Sequence, residues 1–144
     1  MLISHILKHK GSEVVTIDGD ATVIALATLF GHRRIAAAVV VEDDRIVGLA
    51  SERDVVAEVA VHREKALAMR VRDVMTTSPV ICKPDDTTKG VMKLMTYRRV
   101  RHLPVVEDGA LRGIVSIGDI VKAQLDETRL EMDVLRDYAR VHVA

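Results

Sequence analysis

A chain of 144 residues that is 49% hydrophobic can bury one compact core or two small ones, which argues against an extended or disordered chain. Its 21 basic and 21 acidic residues cancel, so no overall basic field draws a nucleic-acid backbone or an anionic membrane. Phe30, Tyr97 and Tyr138 are the only aromatic residues, too few for a base-stacking platform, and a single cysteine, Cys82, excludes an internal disulfide and any multi-cysteine metal site.

In chain order, Leu2 to Leu7 reads as a lead-in segment. Val14 to Ile17 is a β-branched run closed by Asp18-Gly19-Asp20, which predicts a short strand. Ala21 to Phe30 carries apolar residues at Val23, Leu26, Ala27 and Phe30, a helical spacing. Two apolar runs, Ala36 to Val41 and Ile46 to Ala50, flank Asp43-Asp44 and predict a hairpin of buried strands. A helix follows from Asp54 to Val61, then a linker near His62 to Arg70 and a second lead-in at Val71 to Met75. The order then recurs: a strand at Pro79 to Cys82, a helix from Thr87 to Thr96, strands at Leu103 to Val106 and Leu111 to Val115 around Glu107-Asp108-Gly109, and a helix from Asp119. This last helix is long and amphipathic, with Val121, Leu125, Met132, Leu135 and Tyr138 among many charges.

The recurrence is a duplication at a spacing of 65 residues. Arg33-Arg34, Val40-Val41-Glu42-Asp43, Gly48, Ser51 and Asp54 return as Arg98-Arg99, Val105-Val106-Glu107-Asp108, Gly113, Ser116 and Asp119. The expected fold is mixed α/β (α+β), a β-α-β-β-α unit used twice, with repeats at 1–66 and 67–144 and the amphipathic helix at the end of the second.

Chemistry concentrates where the third strand of each repeat ends. Gly48-Leu49-Ala50-Ser51-Glu52-Arg53-Asp54 and Gly113-Ile114-Val115-Ser116-Ile117-Gly118-Asp119 each put a hydroxyl at the strand terminus and a carboxylate one helical turn on. One such Ser-x-x-Asp is most simply a helix cap. Two, on the same strand with the same glycine, also suit a ligand, because a carboxylate accepts both hydroxyls of a ribose while Ser and helix amides serve a phosphate.

The element order, the two Ser-x-x-Asp endings, Val74-Met75-Thr76 and Arg101-His102-Leu103-Pro104-Val105-Val106 resemble a tandem pair of cystathionine-β-synthase (CBS) domains over nearly the whole chain. The resemblance implies a Bateman module, two repeats about a pseudo-twofold axis, with adenine nucleotides bound in clefts between them. Carried over by position, Asp54, Asp119, Ser51 and Ser116 are expected at the ribose. Arg101, His102, Arg99 and Arg53 are expected at phosphates, and Thr16, Ile17, Ile81, Cys82 and Pro104 around adenine. The second repeat has Arg101-His102 where the first has Ala36-Ala37, so the two sites are expected to differ.

The expected role is therefore regulatory binding of AMP, ADP, ATP or NAD(H), AMP first, with no catalysis and no required cofactor. Output is expected through a homodimer and a separate effector protein. Six histidines lack metal-ligand spacing, so no metal is expected. No charged-then-apolar leader or spanning run is recognisable, which predicts a cytoplasmic protein with no membrane or nucleic-acid partner. Two other classes stay open: a ligand-free dimerisation adaptor, against which both Ser-x-x-Asp motifs speak, and a nucleotide-directed enzyme, for which only His102 offers itself as a base.

Overall fold

A computed structural model describes residues 1–11 and 13–142. In chain order the elements are α1 (Ile3–Lys10), β1 (Thr16–Asp18), α2 (Val23–Arg33), β2 (Ala37–Glu42), β3 (Arg45–Ser51), α3 (Glu52–His62), a 3₁₀ segment (Arg63–Ala68), α4 (Val71–Val74), β4 (Thr76–Thr77), α5 (Thr88–Arg98), β5 (His102–Glu107), β6 (Ala110–Ser116) and α6 (Ile117–His142). Two compact units form, Glu13–Val80 and Met1–Ser12 with Ile81–Ala144.

The unit Glu13–Val80 is built on a sheet of order β1-β2-β3-β4. β1 runs parallel to β2, with α2 as the crossover between them. Thr22 caps α2 by accepting from the Ala25 N–H at 3.3 Å, and Arg34, left-handed at φ 52°, ends it. β2 and β3 form the antiparallel hairpin that the apolar runs predict. Its turn residues Asp43 and Asp44 both have positive φ, 49° and 60°, which matches the right-handed twist of the flanking strands. Leu26 and Phe30 of α2 pack onto Ala38, Val40, Ala50 and Val71 to make the core. At about 25 cal/mol per Å² of apolar surface, burial of this cluster is the main force holding helix to sheet.

The unit Met1–Ser12 with Ile81–Ala144 repeats the plan with a shorter sheet. β5 and β6 pair antiparallel, with the same register shift two residue pairs before the turn as in β2 and β3. Its buried side chains include Ile3, Ile6, Val91, Met95, Leu103, Val105, Val115 and Ile120. The strand expected at Pro79 to Cys82 contracts to one parallel bridge, Cys82 to Val105. The physical reason is local: prolines at 79 and 84 remove backbone donors on both sides, and the Asp86 carboxylate takes the Lys83 N–H at 2.8 Å to start a turn instead.

The lead-ins group across the expected division at residue 66. Each groups with the repeat it does not precede. In one unit the Ile3 N–H donates to the Asp86 carbonyl (2.9 Å) and the Ser4 N–H to Pro84 (2.8 Å); in the other the Val71 N–H donates to Ala21 (2.8 Å) and the Arg72 N–H to Gly19 (3.0 Å). The repeat bodies thus correspond at a spacing of 65, Thr22 to Thr87, while their lead-ins correspond at 68, Leu2 to Arg70. After that shared start they diverge. α1 stays helical to Lys10, whereas α4 stops at Val74 and the chain extends as β4, pairing Thr76 with Leu49 and Thr77 with Gly48.

α6 is amphipathic twice over. Ile120 and Ala123 are buried on its inner face, where Gln124 donates to Thr88 and the Met1 amino group reaches Glu127 at 3.5 Å. Val121, Leu125, Thr128, Met132 and Leu135 form a second stripe about a quarter-turn or more around the helix from that face, at alternating steps of four and three, and are all exposed. Among the described residues no helix is long and apolar enough to cross a membrane.

Candidate functional site

Ser51 is the last residue of β3 and the N-cap of α3. Its N–H donates to Asp54 Oδ2 at 2.8 Å and its hydroxyl to the same oxygen at 3.0 Å, while its Oγ accepts from the Asp54 N–H at 3.3 Å. The reciprocal pair is a capping box with Asp in the Glu position. Strand pairing fixes where it sits. Ser51 lies opposite Ala37 on β2, and the Glu52 N–H donates to the Ala36 carbonyl at 2.9 Å, so the helix start is pinned to the neighbouring strand.

The second copy reproduces this frame. The Ser116 N–H donates to Asp119 Oδ2 at 2.9 Å, the Asp119 N–H donates to Ser116 Oγ at 3.1 Å, and the Ile117 N–H donates to the Arg101 carbonyl at 2.8 Å. Here His102 stands directly across from Ser116. In addition, Lys10 at the end of α1 donates to Asp119 Oδ2 at 2.6 Å and to the Ile114 carbonyl at 3.0 Å. Half-burial on its own would raise the Asp119 pKa; the Lys10 ammonium and the Ser116 donors outweigh it and hold the carboxyl below its ordinary value. Among the described residues, Asp54 has no such cation bridged to it.

The remaining expected residues lie on β1, in the first turn of α3, at the end of α5 and the start of β5, and between β4 and α5. Thr16, exposed, and Ile17, half-buried, lie on β1 opposite Val39 and Val40. Arg53 is exposed in the first turn of α3, and Arg101 is exposed just before β5. Arg99 is exposed and left-handed at φ 54°, ending α5 as Arg34 ends α2, so its backbone has a capping task whatever its side chain does. Ile81 is exposed and Pro104 buried. Cys82, also expected at an adenine, has a buried side chain, donates its N–H to the Pro104 carbonyl at 3.0 Å, and accepts at its carbonyl from the Val106 N–H at 2.9 Å. Burial pushes its thiol up to about 12, which makes it inert at neutral pH. Lys10 is the residue that sequence reasoning missed. It precedes its partner by 109 positions, and the lead-ins show no residue matching that would point to it.

The CBS domain family pattern matches residues 4–61 and 71–126. A curated relative, the mitochondrial CBS domain-containing protein CBSX3 of Arabidopsis thaliana, is 32% identical over 148 residues, covering 94% of this chain and 70% of its own length. The crystal structure of the CBS-domain containing protein ATU1752 from Agrobacterium tumefaciens superposes with a TM-score of 0.84 at 38% identity, over 86% of this chain and 99% of that one. The CBS domain pair of protein MJ0100, solved with 5′-methylthioadenosine and S-adenosyl-L-methionine, shares the fold at a TM-score of 0.78 and 19% identity, over 88% and 98% of the two chains. With both halves matched by one domain pattern and the duplicated strand-end geometry in place, this chain belongs to the CBS-domain family as a tandem CBS pair.

Proposed function

We propose that this chain is a regulatory module that binds an adenine nucleotide, AMP first among them, at its two Ser-x-x-Asp ends, and that it turns nothing over. One observation carries the reading: each site aspartate spends Oδ2 on its cap, and every hydrogen bond it accepts among the described residues lands on that oxygen. The second oxygen is left for a ligand, and a carboxylate at a strand end suits a ribose diol. That protein MJ0100 was solved with two adenosine compounds supports the ligand class. Thr16, Ile17, Ile81 and Pro104 would contact adenine, Ser51 and Ser116 the ribose or phosphate, and Arg53, Arg99, Arg101 and His102 the phosphates. NAD(H) is the alternative ligand, since a module with two sites can take a dinucleotide. Signalling would pass through a homodimer to a separate effector in the cytoplasm.

Calorimetry with AMP, ATP and NAD on the intact protein and on Asp54→Ala and Asp119→Ala tests this. AMP binding in the micromolar range is expected, and each variant should lose about 1.5–3 kcal/mol at its own site, the worth of a hydrogen bond to a charged group. Folded variants with undiminished affinity would reduce the motif to a helix cap.

A further inference from the structure

The two sites are built on one frame but differ by a cation that neither repeat body supplies. Lys10 arrives from the lead-in, and two of its three N–H donors are used, on Asp119 Oδ2 and the Ile114 carbonyl. The structural counterpart of Lys10, 68 residues on, is Ser78, an exposed residue with a positive φ of 47° that follows β4. The cause of the difference is the extra helical turn: α1 continues to residue 10 and carries its last side chain to Asp119, while α4 ends at Val74 and its continuation is held on β3. Among the described residues Asp54 therefore has no cation bridged to it, and Asp119 shares its charge with a partly exposed ammonium.

That imbalance decides what each site tolerates. An adenosine ligand with a phosphate brings one or two negative charges within several ångströms of the carboxylate that holds its ribose. Repulsion there weakens binding by about tenfold for each charge pair at a protein surface. A lysine salt-bridged to the carboxylate cancels this and has one N–H left for an anionic oxygen. We propose that Lys10 is a specificity-determining residue that makes the Asp119 site take anionic adenosine ligands, while the Asp54 site takes neutral ones as readily. The proposal rests on the adenosine reading above.

The test uses the full chain carrying Asp54→Ala, so that only the Asp119 site is read, with AMP and uncharged adenosine as probes. Lys10→Gln should weaken AMP about tenfold and leave adenosine within about twofold, the size of one surface charge interaction. Lys10→Arg, which keeps the charge, should restore the AMP preference, and melting curves identify any variant that has lost its fold. Should Lys10→Gln prove unfolded, the AMP-to-adenosine ratio of the Lys10 protein, measured from low to high salt, takes its place and should fall as screening rises. An equal loss of both ligands, an unchanged AMP affinity in Lys10→Gln, or a salt-independent ratio overturns the role of Lys10 and leaves the adenosine reading standing. Failure of the unmutated protein to bind either probe overturns both.

Discussion

Gly48 and Gly113 occupy the same position on β3 and β6, and the structure predicts that the same substitution will cost very different amounts at the two. A Cβ added at Gly48 would lie 2.6 Å from the Met75 sulfur and 2.7 Å from the Thr76 carbonyl oxygen. That oxygen belongs to β4, whose pairing with Leu49 and Gly48 fixes its distance, so it cannot retreat without breaking the ladder. A Cβ at Gly113 would meet only Leu7, its two methyls at 2.6 and 3.1 Å and its Cγ at 3.4 Å. These atoms end a flexible, half-buried side chain that can rotate away. Overpacking costs about 1–3 kcal/mol, and Gly→Ala at an ordinary strand φ returns about 0.4–1 kcal/mol by restricting the unfolded chain. Gly48→Ala should therefore lose about 2 kcal/mol net, and Gly113→Ala should be close to neutral. For a chain of this length a loss of that size lowers the melting temperature by about 4–8 °C, readable by circular dichroism on the two single variants. Equal shifts, or a larger shift for Gly113→Ala, would refute the claim that β4 backs Gly48 rigidly while α1 backs Gly113 softly.

Two further outcomes follow from the buried thiol and the long helix. Cys82 keeps its proton to about pH 12 in the folded chain, while the unfolded thiol releases it near its ordinary 9.0; above pH 9 the unfolded state binds fewer protons, so stability should fall as pH rises. Urea midpoints at pH 8 and 10 should drop less in Cys82→Ala, and a native protein readily alkylated by iodoacetamide at pH 8 would contradict the burial. The outer stripe of α6 predicts a dimer through Leu125 and Leu135, 63% exposed in the single chain. Light scattering should report twice 15.9 kDa at micromolar concentration and a single chain for Leu125→Glu/Leu135→Glu, and a parent protein that is itself monomeric ends the argument.

What the sequence made legible, and what it hid, divides along a physical line. The two hairpins, the crossover helices and the Ser-x-x-Asp ends rest on local signals, namely apolar runs, aspartates that tolerate positive φ, and caps three residues apart, and duplication doubled each of them. Contacts between distant parts of the chain had no such signal. β4 is two residues long, too short for any alternation to show, and exists because β3 offers it an edge. The strand expected at Pro79 to Cys82 had the right composition and lost to its prolines. Both lead-ins pack with the repeat they do not precede, and nothing in their residues announces this, because the apolar pairs they share, Ile3 with Val71 and Ile6 with Val74, mark a buried face without saying which repeat buries it.

The weak constraint on the lead-ins lets the two strand ends of such a module become unlike. Duplication copies the strand end, the cap and the aspartate together, since they are local and stabilise each other, so the two frames stay alike to within a few tenths of an ångström in their cap bonds. The lead-ins are under no such constraint. They need only bury Ile3 and Ile6 in one unit, or Val71 and Val74 in the other, and present a donor pair to the loop before the crossover helix. Beyond that point one continues as helix and the other as strand, and the first residue beyond the shared requirement that reaches a site aspartate is Lys10. Difference between the sites thus enters where folding demands least. Exchanging residues 8–11 for the sequence Thr-Thr-Ser-Pro found at 76–79 should therefore strip the cation from Asp119 while leaving the Ser116 cap intact.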